Sequence, residues 1–180
     1  MSDIVAVVET LQDHIKENIP DFAEVYAEFP RPDQELKLPS MSIITMGQAE
    51  LTYYSPEVTD TVVDVVAGVA DTTFTVGEYN LRLQADIWAE YKLKRGELYG
   101  KVDDLFSAQT KQGLSLNLPD AKGIARYEII GYNFLDNEES SLKGEWRVSL
   151  MLQCHFDKLK TEQLPIMKEI EATVDPEEGV

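Results

Sequence analysis

The chain has one cysteine, Cys154, in 180 residues. An intramolecular disulfide and every multi-cysteine zinc pattern are therefore excluded. Histidine is almost as scarce. His14 and His155 leave little material for a histidine-based metal site. Basic residues are also few, 16 against 33 acidic ones, giving a formal charge of -17. A nucleic-acid-binding surface needs clustered Lys and Arg to neutralise phosphate, so that class is disfavoured. No uninterrupted apolar run approaches the roughly 18 residues that span a bilayer, and a soluble protein made in the cytoplasm, without membrane contact, is expected. There is no phosphate-cradling glycine pattern, no Gly-x-Ser-x-Gly and no His-Glu-x-x-His.

The acidity is uneven. Residues 1–92 carry 17 acids and 5 bases, a net of -12, while residues 93–180 carry 16 acids and 11 bases, a net of -5. One end or face is expected to be more negative than another, either for solubility alone or as a functional acidic surface. The pairs Asp103-Asp104, Glu138-Glu139 and Glu177-Glu178 lack the spacing of a calcium loop and are best accounted for as solvated faces. Cys154 and His155 are neighbours in a strand pattern, so they point to opposite faces and do not form a nucleophile and base pair. No catalytic set assembles, and neither a cofactor nor a metal is expected.

Hydrophobic periodicity divides the chain into elements. Ser2 is a candidate N-cap for a helix carrying Ile4, Val8, Leu11, Ile15 and Ile19 on one face, ended by Pro20. Phe22–Phe29 alternates as a strand, with Ala23, Val25, Ala27 and Phe29 on one side. Met41–Met46 and Ala49–Tyr54 predict two short strands or one bent at Gly47. After Ser55-Pro56, Thr61–Val69 predicts a valine-rich strand that turns at Ala70-Asp71 into Thr72–Val76, a hairpin or flap over residues 55–76.

The clearest pattern follows Gly77-Glu78. Leu81, Leu83, Ala85, Ile87, Ala89 and Tyr91 alternate with Arg82, Gln84, Asp86, Trp88 and Glu90, predicting one core face and one wet face. Near Lys92–Arg95 the period changes, and Leu98, Val102, Leu105, Phe106 and Gln109 mark a helix closed by Gly113. Leu114, Leu116 and Leu118 give a short strand. Gly123–Leu135 and Gly144–Asp157 predict a long hairpin, followed by a short helix near Leu164–Ala172 and an acidic tail. With no internal repeat or linker, one domain over 1–180 is expected, with its core in about 3–157. Its class is α+β: an antiparallel or mixed sheet with helices packed on one face, plus the long hairpin or flap.

What remains for function is surface. The wet face of the long strand, with Arg82, Asp86, Trp88 and Glu90, suits a subunit interface, because Trp and Arg are favoured anchors there. The competing reading has Trp88 covered by its own chain. A second candidate is the apolar segment containing Val62, Val65 and Val66, which requires a cover.

The stretch Gly77-Glu78-Tyr79-x-Leu81-x-Leu83-Gln84-x-Asp86-Ile87-Trp88-Ala89, followed by Lys94-Arg95 and a helix, resembles the tail terminator family of tailed bacteriophages. The order of elements over residues 3–157 is similar as well, with Trp146-Arg147 starting the last strand. The resemblance implies a virion structural protein without covalent chemistry. It would form a homo-oligomeric ring, a hexamer, on the tail tube protein, stop tube growth and meet a head-tail connector. DNA would pass through without specific binding. Another neck or head-completion protein, or a monomeric acidic inhibitor module, are the competing expectations.

Overall fold

The computed structural model describes residues 3–29, 36–64, 66–107, 113–119, 123–136 and 146–165. In chain order the elements are α1 (Asp3–Asn18), β1 (Glu24–Tyr26), β2 (Ser40–Thr45), β3 (Glu50–Asp64), β4 (Val69–Ala89), α2 (Lys92–Ser107), β5 (Leu114–Asn117), β6 (Ile124–Leu135) and β7 (Trp146–Pro165). The architecture is broadly α+β and dominated by one mixed sheet of order β1-β2-β4-β7-β6-β5, with β3 paired to β4. Among the described strands, only β1 and β2 run parallel. Every other neighbouring pair is antiparallel.

The alternation in β4 does what strand geometry requires. Leu81, Leu83, Ala85, Ile87 and Ala89 are all fully buried, and β7 answers with Val148, Leu150, Leu152, Cys154 and Phe156. One apolar cluster joins these rows to Val7, Leu11 and Ile15 of α1 and to Leu98, Val102 and Phe106 of α2. The periodicities of 2 and 3.6 thus meet on shared side chains. Tyr127 on β6 is fully buried and donates its hydroxyl to the carbonyl of Val7 at 2.8 Å, tying the first helix to a strand 120 residues away.

Several expected boundaries move. Gly77-Glu78 does not start a strand: β4 runs unbroken from Val69 and passes Gly77 through a register shift between Thr75 and Gly77. A Cβ at Gly77 would lie 2.5 Å from the Thr52 carbonyl oxygen, so glycine there permits close approach of β3. Ser55-Pro56 does not interrupt β3 either. Proline sits in the irregularity between Tyr53 and Glu57 on a strand whose other side is unpaired, where its missing N–H costs no ladder bond.

The turn expected at Ala70-Asp71 falls earlier. Asp64 accepts from the backbone N–H of Val66 and Ala67 at 2.9 and 3.0 Å, and Gly68 supplies the positive φ of 71°. The strand over Phe22–Phe29 contracts to three residues, with Ala23, Ala27 and Phe29 exposed, because Phe29 leaves the sheet to lie over Arg147. At the other end β7 continues to Pro165 along β4, so Leu164 and Pro165 are strand rather than helix. The remainder of the expected helix, Ser2, Gln109 and the tail lie outside the described residues.

Removing the Tyr127 hydroxyl tests the long-range tie. Tyr127→Phe is expected to cost about 1 kcal/mol, read as a lower urea midpoint at unchanged slope.

Candidate interface

Two surfaces position the residues singled out by sequence. The first is the second face of β4, opposite the core. Arg82 is exposed there, as expected, whereas Glu90 and Tyr91 lie just past the end of β4, both exposed. Asp86 is a correction: it is completely buried. Its carboxyl group is 2.8 Å from Nη2 of Arg147 and accepts a hydrogen bond from Gln84 Nε2 at 3.0 Å. The Arg147 guanidinium lies 4.7 Å from the Trp88 ring and 5.3 Å from Phe29. Trp88 is half-buried within this stack.

Strand register brings these groups together. Ser40, Trp88 and Arg147 occupy one row, and Ser42, Asp86 and Ser149 the next. The alternation was legible, but a period of 2 states only that Asp86 leaves the core face. It does not state that an arginine 61 residues away, opposite Trp88, is brought diagonally within reach. Asp86 Oδ1, Trp88 Nε1, Arg147 Nε and the Ser40 and Ser42 hydroxyls are buried without a protein partner. Such groups are usually met by ordered water, which makes this face a polar second core. Breaking one half of a buried pair leaves the other uncompensated. Asp86→Ala should cost about 3 kcal/mol. Asp86→Leu with Arg147→Met should cost less than the two single changes combined, in a double-mutant cycle of urea unfolding.

A second cationic group sits where α2 begins. Arg95 is buried, pairs with Asp136, donates to the Arg147 carbonyl at 3.2 Å and stacks 4.6 Å from Phe134. Lys92 reaches the same Asp136 at 3.0 Å. Arg95, and then Lys92, hold the Asp136 carboxyl below its ordinary range. A cavity of about 750 Å³ opens beside them, lined by Leu93, Gly96 and Phe134 among others. Its cations are already matched by Asp136.

The residues examined for chemistry are dispersed. Cys154 is buried among apolar side chains, and burial pushes its thiol up to about 12. A thiol so shifted is not a nucleophile at neutral pH. His155, on the other face of β7, lies 3.4 Å from Glu78. Among the described residues, no three His, Cys, Asp or Glu side chains are grouped as metal ligands, and no helix is long and apolar enough to cross a membrane.

The second surface is a three-stranded ribbon made of β3, the first half of β4 and the end of β7. Their rows run together from Tyr53, Gly77 and Lys158 to Asp64, Val69 and Pro165. No helix residue belongs to these rows. Val62 is 63% exposed and Val66 fully exposed, while Val65 lies outside the described residues. Tyr53 and Val58, at 67% and 61%, extend the apolar surface along β3 beyond the valines singled out by sequence. Tyr53 fell in the short strand expected over Ala49–Tyr54, and Val58 in the stretch after Ser55-Pro56, where no periodicity carried a strand past the proline.

At the ribbon's base, Glu78 and Asp157 stand directly opposite one another. Like charges so placed are destabilising. Burial, and then Glu78, raise the Asp157 carboxyl above its ordinary value, partly countered by Arg126. A raised carboxyl in the folded state favours the protonated form. Its penalty is absent below the unfolded value of 3.8 and grows as pH rises through the folded one. Asp157→Asn should therefore raise the melting temperature at pH 7 and leave it unchanged near pH 3, as followed by circular dichroism.

No protein-family model matches the chain, and no curated protein matches it.

Proposed function

We propose that this chain is a structural assembly protein of the tailed-bacteriophage neck. It is a tail terminator that forms a ring at the head-proximal end of the tail tube, stops tube growth and joins tail to head. The observation that carries this reading is the ribbon: a long strand, β3, whose Tyr53, Val58, Val62 and Val63 are all more than half exposed. Val62 and Val63 are successive strand residues on opposite faces, so both sides of the ribbon expose apolar side chains, and such exposure is usually covered by a partner. On this reading the ribbon is a flap that reaches a neighbouring subunit, and both helices cover one face of the sheet. The sharing of one apolar cluster by α1, α2 and the odd-numbered side chains of β4 supports that arrangement.

The resemblance of Gly77–Ala89 and the following helix to tail terminators supplies the specific role. The charge suits it, because a ring lined by a chain of net charge -17 repels phosphate and lets DNA slide past. Its partners are then its own copies, the tail tube protein and a head-tail connector, and its place is the virion. No cofactor takes part. The same acidity also fits a monomeric module that presents nucleic-acid-like charge to a basic partner, and solution mass separates the two.

Purified protein should sediment as a ring of several subunits, a hexamer by the resemblance, and dissociate on dilution. Added to polymerising tail-tube subunits, it should shorten the tubes in proportion to its concentration. A strict monomer at high concentration, or tubes of unchanged length, would sink this reading.

A further inference from the structure

The ribbon has two open edges. Among the described residues β3 pairs with β4 alone, so its other side is an open edge, with the backbone N–H of Thr61 met by the Asp60 carboxyl at 2.8 Å. Beyond Phe156, β7 also pairs only with β4 among the described residues, because β6 leaves it at the Ala125 and Phe156 row. Two outer strands thus flank one central strand, and both run antiparallel to it. They are therefore parallel to each other.

Open edges invite strand addition, and natural proteins commonly guard them with lysine or proline. β3 carries Pro56 at its irregularity but no lysine or arginine. Its charged residues are Glu50, Glu57, Asp60 and Asp64, all of one sign. The β7 edge differs. Over 157–165 it carries Lys158 and Lys160 beside Asp157 and Glu162, and ends at Pro165. Two β3 edges brought together would oppose acid with acid, whereas the β7 edge also offers Lys158 and Lys160, which within the chain meet the Tyr53 hydroxyl and Glu162 and would be shared with the incoming acids.

From this we infer that a second copy of this chain occupies each open edge, with β3 of one subunit adding to the 157–165 edge of β7 in the next. The contact is heterologous, the kind that closes into a ring when the rotation permits. Rotation about an axis along the strands preserves strand direction, so the added β3 runs parallel to β7 and the ribbons form one continuous sheet. The inference deepens the ring reading above by naming the contact through which copies join, and it rests on that reading.

Cysteine pairs test it, because the geometry within one chain forbids the bond. Val62 and Gln163 flank Asp71 in one row, two strand spacings apart, about 9–10 Å. That exceeds the roughly 7 Å Cα limit of a disulfide, so any bridge must join two chains. Native Cys154 is buried and does not compete. Val62→Cys is combined in turn with Gln163→Cys and Thr161→Cys, checked under reducing conditions for wild-type solution mass, and then oxidised.

The expected result is a ladder of covalent dimers, trimers and larger species up to the full ring from at least one pair, with none from the single variants. Covalent dimers from Val62→Cys alone would show β3 meeting β3 and overturn the inference. A wild-type ring with no ladder from either pair would overturn it while leaving the ring intact. A monomeric wild type would remove both.

A charge exchange gives a second measure should the cysteine variants fold poorly. Lys160→Glu should raise the concentration for half-assembly about tenfold, and Asp60→Lys in the same chain should recover part of that loss. Assembly unaffected by Lys160→Glu would count against the contact.

Discussion

The fold depends on the hydrogen bonding of a single strand. β4 is held by β7 from Val69 to Ala89, and its other side is divided between β3 and β2. Among the described strands, β4 alone is paired on both sides through the apolar core and the ribbon alike. Its alternation is also the strongest in the chain, so the element that organises the structure is the one whose side chains specify register most strictly. A slip of one residue would put Arg82 and Glu90 into the apolar cluster and Leu81 and Leu83 outside it. The buried Asp86 and Arg147 pair guards the same register from the second face, because it forms only when Trp88 lies opposite Arg147.

The sequence was most legible where one periodicity met one environment. The core face of β4, the start of α2 and the stripe on α1 follow from spacing alone, and so does the placing of Cys154 and His155 on opposite faces of β7. Local punctuation misled where the sheet overrode it. Gly77 and Pro56 are conventional breaks, yet each sits at a register irregularity inside a continuous strand, since the ladders resume on either side of the irregularity. The three-residue β1 is the reverse case: of Phe22–Phe29 only Glu24–Tyr26 pairs, although β2 runs on to Thr45, and Phe29 lies over Arg147 instead.

The second face of the sheet shows the limit more sharply. Arg82, Asp86, Trp88 and Glu90 look equivalent in sequence, all at alternate positions of one strand. In three dimensions Arg82 and Glu90 face solvent, whereas Asp86 and Trp88 lie in a polar stack with Arg147 and Phe29. The difference arises from cross-strand neighbours, which intrastrand spacing does not contain. It also moves the weight of the candidate interface from this face toward the ribbon, where the exposed side chains are apolar.

The continuity of β4 through Gly77 has a mechanical consequence. Because the strand enters the core without a hinge or loop, a pull on the ribbon along its length is resisted by many β4 and β7 hydrogen bonds loaded together in shear. A chain joined to its ribbon by a flexible linker would instead take that load one bond at a time, like an opening zip. Tension directed along the strands would therefore reach the interior as sliding between two long, fully bonded neighbours.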